Sequence, residues 1–486
     1  MDREKVEKIR QWVKAHKTEI GKDLKSLVRI RSVAHKDNCK EEKYPYGKGC
    51  AEVLNAMLEL GSRCGMSTEN YKGHCGSISL QKRMKGVPEI GIWTHLDVVG
   101  EGEGWHFPAY DLTEKDGFWI GRGVQDNKGP AIGVLWALRY LKEKNCTKKF
   151  NYCLFTGCSE ENGMEDAVYF KEHERLSDFQ LVADGIFPVG YGEKGILNLK
   201  FHKKLSPSCA LRELSAGSSV NSIPAEAKAV LILEERKQKI LKAYARKSSK
   251  ISLTQEEKKV TVTATGISGH VGFPEKSENA LFVLADFLKQ IPWKMEKQEE
   301  ELLDFLYGIN RDFYGENTEI ACSDDCSGKL CGALTMACTD SDGITMRADY
   351  RYPIFAGNST QIRKQLEYFA RGFHVMMETE RVSEPYYRDP GNRQIRQIME
   401  IYREISGNPK AQPYTMSGGT YARMFPNAVS YGMSLENKKI YRTGGEESGD
   451  CHQPDESVNI EQLLEGIVIY IATLLELDKC LEVEDE

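Results

Sequence analysis

Residues 91–100, GIWTHLDVVG, read as a short apolar strand that ends on His95 and Asp97. Downstream, GRGVQDNKGP (121–130) puts Asp126 in front of a helix, and CLFTGCSEENG (153–163) puts Glu160 and Glu161 after another strand. Between them GPAIGVLWALRYLKEK has the apolar spacing of a helix, and Gly129-Pro130 suits its first turn. Strand, helix, strand in this order is the signature of a largely parallel sheet. In such sheets active sites collect at the strand ends.

Working outward, a charged amphipathic helix is expected over Arg3 to Val33, and a second over GCAEVLNAMLELGSRCG. From about Gly190 the pattern changes to Lys-rich alternating strands (ILNLKFHKKL, AKAVLILEE, KVTVTATG, ITMRADYRYP), with helices at Asn279 to Gln290 and Thr360 to Phe373. The expected fold class is α/β, a central mostly parallel sheet flanked by helices, with an inserted α+β lid domain. The expected parts are residues 1–187, an insert at 188–386, and 387–486, whose helix NIEQLLEGIVIYIATLLEL packs on the first part. An insert of on the order of 200 residues is twice what a small α+β module needs, which suggests a doubled module.

The chain has 486 residues, 40% hydrophobic and 28% charged, ordinary for a folded protein of two domains. A net charge of -6 with interspersed signs offers no basic face for nucleic acid. The amino terminus lacks the apolar run of a signal peptide, and Leu463 to Leu477 is interrupted by Glu465 and Glu476, so no membrane span is expected and a cytoplasmic location is. Fourteen cysteines spread through strands and helices then read as reduced thiols. The group Cys322, Cys326, Cys331 and Cys338 has no CxxC knuckle and reads as loop and strand residues.

His95, Asp126, Glu160, Glu161, Asp184 and His452 form the inventory of a two-metal hydrolase. Asp126 would bridge, His95 and Asp184 would serve one ion, and Glu161 and His452 the other. Three carboxylates against two dications leave one positive charge, which a bridging hydroxide cancels. Glu160 stays free as general base, and Asp97, expected on the same strand face as His95, receives its spare N–H. Singly each residue has a plainer reading, as a turn Asp, a solvated Glu-Glu pair or an isolated His.

The strings HLDVVG, GRGVQDNKGP, GCSEENG, VADG, SGHVGFPE, DYRYP and SGGTYAR, with the late His452, resemble in order the motifs of the co-catalytic metallopeptidases that include aminoacylase, acetylornithine deacetylase and carnosinase, nearest to the PepV-type bacterial dipeptidases. The resemblance runs over nearly the whole chain. It implies the metal roles above, with Glu160, Asp97 and His270 catalytic. It further implies substrate contacts from Asn221 on the oxyanion side, Arg351 on the carboxylate side, and the backbone amides of Gly418, Gly419 and Thr420, together with a cis peptide at Asp126-Asn127. Arg351 as a structural ion-pair partner and Asn221 as a turn residue remain open readings. His74, His106, His202 and His374 read as structural. The chain departs from many relatives at Asn127, where they have a second acid, and at Cys158-Ser159, where they often have Thr-Asp.

The expected function is a metal-dependent dipeptidase acting through a metal-bridging hydroxide and a Glu base. Two divalent ions are implied, zinc first, with manganese or cobalt also suited. A deacylase of N-acyl amino acids on the same scaffold is the first alternative, and a non-catalytic metal or amino-acid binding protein the second. A doubled lid would let a monomer suffice.

Overall fold

The computed structural model describes residues 3–35, 44–445 and 448–481. The chain divides into two compact units: Met1–Tyr191 with Tyr387–Tyr414 and Thr420–Glu486, and Gly192–Tyr386 with Thr415–Gly419. The short stretch Thr415–Gly419 thus groups with the second unit, whereas a reading by linear order leaves it in the terminal segment.

The first unit is built on a nine-stranded sheet. Its centre runs Asn151–Gly157, Glu89–His95, Phe179–Val182, Ala428–Tyr431, and these four strands are mutually parallel. Parallel order stops there: Cys75–Ser79 and Ser67–Tyr71 add on one side antiparallel, as Val189–Glu193 does on the other. The expectation of a mostly parallel sheet therefore holds for the core and not the flanks. Every residue of Glu89–His95 and of Asn151–Gly157 is buried, as befits strands covered by helices on both faces.

The helix Lys128–Lys144 packs against the terminal helix Ile460–Cys480, which also meets Arg3–Ala15 and Arg393–Ser406. On these two helices Ile132, Leu138, Ile467, Ile471 and Leu474 are fully buried. Glu465, which interrupts the apolar stretch of the terminal helix, meets Arg10 through two bonds of 2.9 and 2.7 Å. Among the described residues no helix is long and apolar enough to cross a membrane.

The amino-terminal helix differs from expectation. It is two helices, Arg3–Ala15 and Lys17–Val28, with His16 between them outside helical geometry. The His16 Nδ1 lies 2.7 Å from the carbonyl of Trp12, so the side chain meets a main-chain acceptor at the break. The second helix ends at Val28, with Arg29 as its cap in helical geometry, and does not reach Val33.

The second unit is an eight-stranded sheet in the order Ile251–Glu256, Lys259–Thr265, Glu226–Ile232, Leu211–Ala216, Cys331–Thr339, Ile344–Tyr352, Gly195–Lys203, Met376–Ser383. The first four strands and the last four are joined through the pair Ala216 and Ala337, the architecture of two α+β halves fused edge to edge. Ala280–Lys289 covers the first half and Ser359–Arg371 the second. Alternation is clear in Gly195–Lys203, where Leu197, Leu199 and Phe201 are fully buried and the residues between them are not.

Candidate active site

In the first unit the candidate residues gather at the carboxyl ends of the parallel strands. His95 is the last residue of its strand, Glu160 and Glu161 follow Asn151–Gly157, and Asp184 follows Phe179–Val182. Asp126 precedes Lys128–Lys144, and His452 lies in the loop before Ser457–Asn459 with a left-handed φ of 64°. The peptide Asp126-Asn127 is cis.

The two oxygens of Asp126 serve different histidines. Oδ1 is 2.9 Å from His95 Nε2 and Oδ2 is 3.1 Å from His452 Nε2. His95 Nε2 also lies 3.8 Å from Asp184 Oδ2, and His452 Nε2 lies 3.0 Å from Glu161 Oε1. Ligand atoms of His95, Glu160 and Asp184 fall within 4.8 Å of one another, as do those of His95, Asp126 and Glu161. Donors bound about 2.0–2.2 Å from one ion stand roughly 3 to 3.5 Å apart in a tetrahedral shell, so this nitrogen and oxygen set fits divalent cations.

The electrostatics agree with the geometry. Burial works against charge on His95, yet Asp184, Asp126 and Asp97 outweigh it and hold the imidazole well above its usual range. Burial likewise opposes charge on His452, and Glu161 and Asp126 raise it. Burial, then Asp184 and Glu161, push the Glu160 carboxyl well above the ordinary range. For Asp126 burial is overcome by His452 and His95, and its carboxyl is depressed. A field this negative attracts protons or cations alike.

Asp97 sits differently from expectation. The strand ends at His95, so the two-residue alternation no longer applies. His95 Nδ1 meets the backbone carbonyl of Asp97 at 3.0 Å, with the carboxylate at 3.4 Å. That carboxylate accepts the backbone N–H groups of Glu160 and Glu161 at 3.2 and 3.1 Å, fixing the turn that separates the two glutamates.

Other residues that hold this centre escape sequence reasoning. Glu456 Oε1 accepts the N–H groups of Gly123, Gln125 and Asp126 at 3.1, 2.9 and 3.1 Å, while Arg122 Nη1 donates to Oε2 at 2.8 Å. Nothing near Glu456 in HQPDES marks it, because its partners are some 330 residues away. Asn127 was visible only as a departure from an acid. Its Nδ2 donates to the Ala183 carbonyl at 2.8 Å and to Asp184 Oδ1 at 2.9 Å, a task a carboxylate cannot perform. Lys128, buried and donating to the carbonyls of Leu27 and Ile30, is pulled down to about 7 by burial.

The second unit brings Asn221, His270, Arg351, Gly418 and Gly419 into one neighbourhood. Ser222–Ile223 pairs with Gly269–His270, and Val271 N donates to the Asn221 carbonyl. Gly272 N donates to His270 Nδ1 at 3.0 Å, so Nε2 carries the proton of the neutral ring. A Cβ on Gly272 would stand 2.8 Å from the Ser417 Cβ, which puts the histidine turn against the Ser417–Gly419 stretch. Arg351 is paired with Asp349 and donates to the Ser417 carbonyl. Thr420 belongs to the first unit, and its hydroxyl caps the turn Tyr421–Met424 by accepting from Ala422 N at 3.1 Å.

Residues 91–476 match the peptidase family M20/M25/M40. The chain belongs to that family. Among its relatives, a beta-Ala-Xaa dipeptidase of Lactobacillus delbrueckii subsp. lactis is 27% identical over 479 residues, 97% of this chain and 98% of that one. The putative dipeptidase YtjP of Bacillus subtilis (strain 168) is 26% identical over 474 residues, 95% and 98% of the two chains. Two solved structures share the M20/M25/M40 chain's fold. The di-peptidase Dug1p from Saccharomyces cerevisiae has a TM-score of 0.57 at 14% identity, over 98% of this chain and 99% of that one. Human carnosine dipeptidase 1 has a TM-score of 0.56 at 15% identity, over 98% and 100%.

Proposed function

We propose that this chain is a metal-dependent dipeptidase holding two divalent ions. The observation that carries the reading is Asp126, whose oxygens stand 2.9 and 3.1 Å from two different imidazoles, each with a further carboxylate beside it. His95 and Asp184 would hold one ion, Glu161 and His452 the other, and Asp126 both. Bound there, the ions supply a Lewis acid for the scissile carbonyl and lower the pKa of water. Zinc suits imidazole with carboxylates, and manganese or cobalt suits the oxygen-rich remainder.

The protein's own groups do the proton work. Glu160, raised by burial and its acidic neighbours, takes the proton from water and hands it to the leaving amine. Asp97 keeps Glu160 and Glu161 in their separate directions through the two backbone amides. His270, with its proton on Nε2, and Asn221 are suited to donate to a developing oxyanion. Arg351 and the amides of Gly418, Gly419 and Thr420 suit the free carboxylate of a dipeptide.

The test is turnover of β-alanyl and α-linked dipeptides against N-acetyl amino acids, on protein whose metal has been counted by elemental analysis. About two ions per chain and faster dipeptide cleavage are expected. Turnover of the acetylated compounds alone would replace this reading with a deacylase.

A further inference from the structure

Asp349 was no part of the functional inventory, yet it grips Arg351, which is. Asp349 and Arg351 lie two apart on the strand Ile344–Tyr352, so both side chains leave the same face. Asp349 is fully buried and Arg351 is 7% exposed. The Arg351 Nε donates to the Asp349 oxygens at 3.0 and 3.1 Å, Nη2 donates to Oδ2 at 2.6 Å, and Nη1 donates to the Ser417 carbonyl at 3.0 Å.

A guanidinium carries five N–H groups in one rigid plane. The bonds to Asp349 and Ser417 use three nitrogens' worth of that plane and fix its orientation, so the direction of the remaining N–H groups on Nη1 and Nη2 is fixed as well. An arginine on its own flexible stem would present any edge to solvent at a cost in rotamer entropy. Here the cost is met in folding, before a ligand arrives.

We propose that Asp349 is a positioning residue for carboxylate recognition: its grip sets the plane of the Arg351 guanidinium, which in turn holds the Ser417 carbonyl at the start of the Ser417–Gly419 stretch whose amides are assigned to the same carboxylate. This rests on the assignment of Arg351 to the carboxylate side of the substrate. It also changes the kind of selectivity expected. Because Asp349 offsets the arginine's charge at hydrogen-bond distance, discrimination comes from aligned donors rather than from net positive charge. Aligned donors donate to two carboxylate oxygens, whereas a carboxamide turns its own NH2 against one of them.

The experiment compares kcat/KM for a dipeptide with its C-terminal amide in the metal-loaded wild type, Asp349→Asn and Arg351→Met. The ratio of the two substrates is independent of the fraction of enzyme folded. Asp349→Asn is expected to lower the carboxylate-to-amide ratio about tenfold or more, mainly through KM, the size of one charge-assisted hydrogen bond. Arg351→Met is expected to lower it at least as far. If Arg351→Met collapses the ratio and Asp349→Asn leaves it intact, the positioning role is wrong while the arginine assignment stands. If neither moves it, the arginine assignment fails and the proposal with it. Should Asp349→Asn fold poorly, Asp349→Glu keeps the charge but displaces the grip by one methylene, and an unchanged ratio in that variant equally overturns the proposal.

Discussion

Around Asp126 five carboxylates (Asp97, Asp126, Glu160, Glu161 and Asp184) face two imidazoles; around Arg351 one carboxylate faces one guanidinium. Both places are substantially buried, so both must settle their charge locally. The second does so within the protein, one fork against one carboxylate. The first cannot, since even two charged histidines leave an excess of negative groups. The contrast divides the work: the acidic centre draws protons or cations from outside to balance its charge, and the arginine cluster balances its own charge and contributes shape. It also explains why substitutions in the two places should differ in kind, with losses of chemistry in one and losses of discrimination or alignment in the other.

The largest effect is expected where that division is tested on a single residue. Glu160 is grouped spatially with His95 and Asp184, so it could be a ligand or a base. Glu160→Gln should lower kcat by about 10³-fold, within the range for a lost general base, with metal content unchanged. Loss of an ion on elemental analysis, together with the loss of activity, would move Glu160 into the ligand set and leave the base unassigned.

A smaller effect is expected in the other region. Gly272 donates to His270 Nδ1, and a Cβ added there would lie 3.0 Å from that nitrogen and 2.8 Å from the Ser417 Cβ. Gly272→Ala should push the ring from its place and lower kcat by roughly 10-fold to 100-fold, the range of a single weakened oxyanion donor, with metal content unchanged. The ¹⁵N shifts of the His270 ring would report whether Nε2 keeps the proton. Unaltered kcat would show that the position of His270 does not matter to the reaction.

How far these sites can be read from sequence depends on the range of the interactions that make them. His95, Glu160, Glu161 and Asp184 are legible because each closes or follows a short, largely apolar strand, and such strands end at the functional edge of a parallel sheet. The return of His452 has no local signature; the order of motifs in the resemblance supplied it. Glu456 was missed because a buried carboxylate gathering three amide protons looks, in sequence, like any loop acid. Asp97 was assigned by alternation, a reason that lapses where the strand stops at His95, although its carboxylate does lie 3.4 Å from His95 Nδ1. The break at His16 was hidden for a related reason: Val6, Ile9 and Val13 on one side and Ile20, Leu24 and Leu27 on the other each make a helical stripe, and periodicity alone does not reveal the interruption.

A third prediction, read in stability rather than turnover, concerns a buried carboxyl whose partners are hydrogen-bond donors and not histidines. Asp166 is buried beside the Glu160 turn; Oδ2 accepts from the backbone N–H groups of Cys158 and Ser159 at 2.6 and 2.8 Å and from the Tyr421 hydroxyl at 2.5 Å, and Oδ1 accepts from the Ala167 N–H at 2.7 Å. Burial, reinforced by the charge of Asp97, outweighs these donors and raises its carboxyl from 3.8 to about 6. Between those values the native protein holds a proton that the unfolded chain has released. Native stability therefore falls as pH rises from 3.8 to about 6, and this group adds no further slope above that. The change is on the order of 3 kcal/mol across the window. Asp166→Asn cannot ionise, so the difference in unfolding free energy between wild type and variant, measured by urea titration at steps between pH 4 and 7, should shrink by that amount as the pH rises. A pH-independent difference would mean that four protein donors are enough to hold an anion in this interior, and the distinction between Asp166 and the cation-seeking carboxylates around Asp126 would then rest on their mutual repulsion rather than on burial.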